Sequence, residues 1–184
     1  MVKVASENLV PVTLELGGKS PTIVAKGQRA GPHRVRHRLG KAPERISIVN
    51  DQQYSMLIDL IDDARVHGAR IIEIGHRSGD ATRRPHTLAP TVVLGVTDEM
   101  KIAHEEIFGP TLPIFGYGNV DDAIDYVNAR LRPLALYYFG DDDADRRKVL
   151  DRTPSGNVTI NGTIMHVAQP FASRADTLLK FFLR

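Results

Sequence analysis

The stretch "LPIFGYGNVDDAIDYVNARLRPLALYYFGDDDADRRKVLDRTPSGNVTING", Leu112 to Gly162, alternates two periodicities. Leu112 to Gly118 reads as a strand. Asn119 to Arg130 reads as a helix, with Val120, Ala123, Ile124 and Val127 spaced to face inward. Leu134 to Gly140 is apolar almost throughout, as a strand buried on both faces would be. Asp141 to Arg152 then reads as a helix whose first turn holds Asp141, Asp142 and Asp143, where carboxylates complement the helix dipole. Gly156 to Gly162 is the last strand. Strand, helix, strand, helix, strand with apolar strands predicts parallel pairing through right-handed crossovers, and so an α/β domain.

Working back toward the N-terminus, Asp51 to His67 has helical spacing, with Tyr54, Leu57, Ile58, Ile61 and Ala64 on one face and Asp51 as the cap. Gly68 stops it. Ala69 to Gly75, "ARIIEIG", follows as a buried strand. His76 to His86 has little apolar content and reads as a loop. Thr87 to Val96 is strand again, interrupted at Pro90. Val12 to Leu16 and Thr22 to Ala25 read as two short strands around a glycine turn. Residues 26–45 have neither period.

The 184 residues are enough for one domain with a real core. Hydrophobic residues make up 42% and charged residues 25%, an ordinary globular balance. No apolar run is long enough to cross a bilayer, and the N-terminus has no secretion signal, so the expected compartment is the cytoplasm with no membrane partner. The net charge is only +2, yet residues 26–45 hold seven Lys or Arg against one Glu. There is no cysteine, which excludes disulfides, thiolate metal sites and a cysteine nucleophile within these residues.

Two short motifs carry chemistry. The first is Glu15-Leu16-Gly17-Gly18-Lys19-Ser20-Pro21, an acid in an apolar run beside glycines that let backbone approach a ligand. The second is Glu105-Glu106-Ile107-Phe108-Gly109-Pro110. In this order, separated by an α/β unit and followed by "SGNVTINGT" (Ser155 to Thr163), they resemble the aldehyde dehydrogenase superfamily. "RPLALYYFGDDDADRRKVLDRT" and "MHVAQPF" are similar to its coniferyl aldehyde dehydrogenase branch. The resemblance covers residues 5–25 and 46–171. It implies the fold of that family's parallel-sheet catalytic domain, oxidation of an aldehyde substrate with NAD or NADP, and a homo- or hetero-oligomer.

In that family a cysteine thiolate attacks the aldehyde, hydride passes to the nicotinamide, and water releases the acid. Glu15 matches the glutamate that activates this water, and partial shielding by apolar neighbours would raise its pKa toward neutrality. Glu106 matches the glutamate that holds the nicotinamide ribose, and Phe108 the aromatic residue packed near it. The departures are as informative. The basic segment stands where the family has a helix, and "LGKAPERISIVND" jumps over the segment that delivers the cysteine. Gly27-Gln28-Arg29-Ala30 is a faint echo of that segment, with Ala30 in the cysteine's place. The family's nucleotide-binding turn lies upstream of its first motif, and this chain begins too late to hold it. Pro170-Phe171 runs into Ala172-Ser173-Arg174 instead of two glycines, and residues 172–184 diverge. The expectation is a truncated, internally deleted catalytic domain over residues 1–184, lacking its nucleotide-binding domain and inactive as an isolated chain.

Plainer readings compete. Each glutamate motif alone is more simply a surface acid before a turn. His104-Glu105-Glu106 lacks the second histidine of a zinc helix, and His33 with His37 has no third ligand, so no metal is expected. The Asp141–Asp145 run lacks the glycine and terminal glutamate of a calcium loop. The basic segment could grip polyanions without specificity, but no aromatic residue is interleaved, so specific nucleic-acid binding is not indicated. A third possibility is a non-catalytic protein that pairs with an intact homologue.

Overall fold

A computed structural model describes residues 18–27, 46–74 and 86–162. The strands are β1 (Thr22–Val24), β2 (Ile46–Ser47), β3 (Arg70–Glu73), β4 (Thr87–Leu88), β5 (Thr91–Leu94), β6 (Thr111–Ile114), β7 (Ala135–Phe139) and β8 (Asn157–Ile160). The helices are α1 (Asp51–Val66), α2 (Lys101–His104), α3 (Val120–Asn128) and α4 (Asp143–Arg152). Glu15, the strand expected at Val12–Leu16, the basic segment from residue 28 onward, most of the loop before His86 and the divergent tail lie outside the described residues.

The α/β class holds. One sheet has the order β1-β7-β8 and is parallel throughout, with Thr22 opposite Tyr137 and Leu136 opposite Val158. A second has the order β3-β5-β6, in which β5 and β6 are parallel but β3 and β5 antiparallel. β2 and β4 form a short antiparallel pair. The parallel pairing expected of the strand–helix–strand run holds at β7 and β8, while the antiparallel β3–β5 pair makes the architecture mixed. A parallel neighbour needs a crossover, usually helical, and among the described residues no helix lies between β3 and β5.

The helices form where their caps and faces dictate. Asn50, not Asp51, caps α1: its side chain accepts from the Gln53 amide at 2.8 Å. Asp51 instead pairs with His86. Gly68, at φ 88°, ends α1 in a backbone conformation costly to other residues. Asn119 caps α3 with a reciprocal capping box to Asp122. Asp142 caps α4, so that helix starts at Asp143.

Two cores result. Ile23 of β1 and Leu136 and Tyr138 of β7 pack with Val120, Ala123, Ile124 and Val127 of α3 and Val149 of α4. Leu60 and Ala64 of α1 pack with Val93, Met100, Ile102 and Ala103. Leu57, Ile124 and Leu136 are fully buried, each contributing about 1.5–3 kcal/mol by removal from water.

Candidate functional site

The second motif occupies the link between α2 and β6. α2 is one turn long, and its first amide, that of Lys101, donates to the Asp63 carboxylate of α1 at 2.8 Å. Glu105 closes the turn in an extended conformation, which throws Glu106 out of the helix. Glu106 is exposed, and its Oε1 accepts from the Gly18 amide at 2.8 Å. The two motifs named from the sequence thus meet through this bond.

A second tie lies beside the first. The Lys19 ammonium donates to the Ala103 carbonyl at 3.3 Å. Burial lowers the Lys19 pKa below its ordinary value; Glu105 opposes the shift, Arg130 adds to it, and Glu106 opposes it. Spacing alone gave no reason to single out Lys19, because its acceptor is a main-chain carbonyl 84 positions away.

Phe108 presents its ring to solvent at 71% exposure. Its backbone is held from below: Gln53 of α1 donates to the Phe108 carbonyl at 3.3 Å. Gly109 lies directly on Leu57, and a Cβ there would come within 2.5 Å of Leu57 Cδ1. Pro110 then offers its carbonyl to the Thr91 amide at 2.8 Å and starts β6. Ile107 to Pro110 and Ile46 to Val49 line an apolar hollow next to Glu106. Glu106 and Phe108 are both exposed and two positions apart in the same link, whereas the placement of Glu15 lies outside the described residues. Among the described residues no metal-ligating cluster forms, and no helix is long and apolar enough to cross a membrane.

On the other side of β6, the Tyr117 hydroxyl donates to the Val24 carbonyl at the end of β1. The link before β6 is tied to the segment entering β1, and the link after β6 to the end of β1.

Comparison with known proteins agrees with this architecture. The model of the aldehyde dehydrogenase family matches residues 28–173. The probable coniferyl aldehyde dehydrogenase of Caulobacter vibrioides is 40% identical, over 92% of this chain and 44% of the relative. The coniferyl aldehyde dehydrogenase of Pseudomonas sp. strain HR199 is 36% identical over 91% of this chain and 44% of the relative. The substrate-bound AldH of Staphylococcus aureus superposes with a TM-score of 0.72 at 33% identity, over 92% of this chain and 44% of that one. The chain thus spans less than half the length of the curated relatives it matches. The Caulobacter alignment runs over 211 positions yet takes in 92% of 184 residues, so about forty of its positions have no counterpart here. On its sequence and its structure together, the chain belongs to the aldehyde dehydrogenase family.

Proposed function

We propose that this chain is a partial aldehyde dehydrogenase catalytic domain that keeps a nicotinamide-ribose half-site and turns over no aldehyde by itself. The observation that carries the reading is the absence of cysteine from all 184 residues. The family's reaction on an aldehyde such as coniferyl aldehyde begins with a thiolate, which these residues do not supply. Removing the nucleophile of a covalent mechanism costs on the order of 10⁶ in kcat.

The half-site is suited to its ligand. Glu106 is exposed, and the Gly18 amide fixes one of its oxygens, so the carboxylate is oriented while keeping acceptor capacity for two vicinal ribose hydroxyls. Phe108, two positions on, supplies an exposed ring for the riboside. NAD or NADP, when bound, supplies the hydride acceptor; Glu106 and Phe108 only hold and orient it. Glu15 takes the part of the water-activating base.

The test is a direct assay. The purified chain, given coniferyl aldehyde and NAD⁺ or NADP⁺, is expected to produce no reduced cofactor above a protein-free control. Sustained turnover overturns the reading.

A further inference from the structure

Among the described residues β1 and β6 are both edge strands. Among the described residues β1 pairs only with β7, and β6 only with β5. The Tyr137 amide donates to the Pro21 carbonyl and the Ala25 amide donates to the Phe139 carbonyl, which shows which β1 groups serve β7. By the alternation of a parallel ladder, the amides and carbonyls of Thr22 and Val24 point the other way. The same alternation applies to β6. The Pro110 carbonyl accepts from the Thr91 amide and the Ile114 carbonyl from the Val96 amide, which turns the main-chain groups of Thr111 and Pro113 outward.

The two strands lie side by side and run in the same direction. Gly18 and Lys19, entering β1, are bonded to Glu106 and Ala103, on the approach to β6. Val24, ending β1, accepts from Tyr117, just past β6. Both ends are therefore tied across, yet β1 and β6 make no ladder with each other. Strands in a sheet stand about 4.8 Å apart, so two strands tethered in this way without pairing leave room for one more between them. The outward Val24 carbonyl has a substitute donor in Tyr117, while among the described residues no strand pairs with the edges that carry the outward amides of Thr22, Val24 and Thr111.

We infer that the gap between β1 and β6 is an acceptor slot for one extended strand, running parallel to both, and that its occupant is the family segment this chain lacks, supplied by a separate polypeptide. The roughly forty unmatched positions of the Caulobacter relative exceed the dozen or so residues that a parallel crossover needs. Where these positions run together, they have length enough for a strand and the link that leads into it. A strand so placed joins the two three-stranded sheets into one sheet of seven. Its main-chain bonds supply affinity, and its alternate side chains supply specificity. Pro113 offers a carbonyl but no amide, so the β6 side makes fewer bonds than the β1 side. Strand acceptance does not depend on whether the chain turns over an aldehyde.

The test uses the full chain and a labelled peptide covering the residues of the Caulobacter relative that have no counterpart here, with a scrambled peptide as control. Fluorescence anisotropy is expected to show saturable binding of the first peptide only. Hydrogen exchange should show new protection at the Thr22, Val24 and Thr111 amides. Val24→Pro removes an outward amide, and with it one backbone bond, and should weaken binding on the order of tenfold. Because that variant could also disturb β1, Thr111→Pro provides an independent check on the other edge. Equal binding of the scrambled peptide, or protection confined to other amides, overturns the inference. Protection of the same amides in the chain alone at rising concentration also overturns it, because a second copy would then fill the slot.

Discussion

The amide of Gly18 and the carboxylate of Glu106, 88 positions apart in the chain, are joined by a 2.8 Å hydrogen bond. A glycine amide next to a strand is a fixed donor, so the bond sets the direction of a side chain that would otherwise sample several rotamers. If Glu106 holds a ribose, its charge matters beyond this bond. Glu106→Gln keeps an oxygen acceptor for Gly18 but weakens acceptance from ribose hydroxyls. Saturation-transfer NMR with NAD⁺ is expected to show contact with the nicotinamide ribose in the parent chain and a several-fold weaker signal in the variant. An unchanged signal removes Glu106 from the half-site.

Lys19 gives a second, pH-dependent reading of the same junction. Its pKa in the folded chain lies below 10.5, chiefly because burial disfavours the charged amine. The unfolded state therefore holds its proton more tightly, and stability rises with pH between the lowered folded value and 10.5. Lys19→Met should abolish that rise and lose the bond to the Ala103 carbonyl. Urea midpoints for both chains across the alkaline range provide the check; parallel curves would contradict the assignment.

Tyr126 predicts the opposite slope at higher pH. Its hydroxyl is pushed from 10.0 up to about 12, mainly by burial; Arg130 opposes the shift and Asp98 reinforces it. The ring carries the Arg130 guanidinium 3.2 Å from its centroid and packs on Phe115 at 4.7 Å between ring centroids. Between 10.0 and about 12 the unfolded chain releases this proton first, so stability falls as pH climbs through that window. Tyr117 and Tyr138 are raised as well and act in the same sense. Comparison with Tyr126→Phe isolates the contribution: the variant should lose less stability over that range, and an identical loss would count against it.

The parts legible in the sequence are those whose signal is local. α3 was readable because Val120, Ala123, Ile124 and Val127 fall on one helical face, and all four are buried. On α1 the same reasoning found Leu57, Ile61 and Ala64 but passed over Leu60, which closes the second core. α2 and β2 escaped notice because four and two residues are too short to show a period. Strand direction at β3 and β5 is not legible in the sequence, since apolar content marks a buried strand but not its orientation. The motifs themselves were visible, whereas the bonds that join them use main-chain groups, which every residue carries and no pattern reveals.

Gly156 shows how tightly the last turn before β8 is built. Its amide donates to the Pro133 carbonyl at 3.0 Å, and a Cβ there would meet the Leu134 carbonyl oxygen at 2.4 Å. The obstacle is backbone, so a rotamer change cannot relieve it. Gly156→Ala should cost about 1–3 kcal/mol, read as a lower urea midpoint at unchanged slope. A neutral result would mean that β7 and β8 can separate without loss.

Pro113 determines how the β6 edge behaves when nothing covers it. An open strand edge is a template for pairing with another chain, and a proline whose missing amide would face outward interrupts that template. Leu112 and Ile114 on either side are 53% and 41% exposed, so apolar surface lies beside the edge. Pro113→Val restores the amide, raises strand propensity and leaves the bonds to β5 intact, because those use Pro110 and Ile114 carbonyls. Sedimentation velocity should therefore show stronger concentration-dependent association for the variant than for the parent. The same substitution should tighten binding of the strand-donating peptide, because the β6 side regains a donor. A variant that sediments like the parent and binds the peptide no more tightly would mean that this edge is closed to any partner.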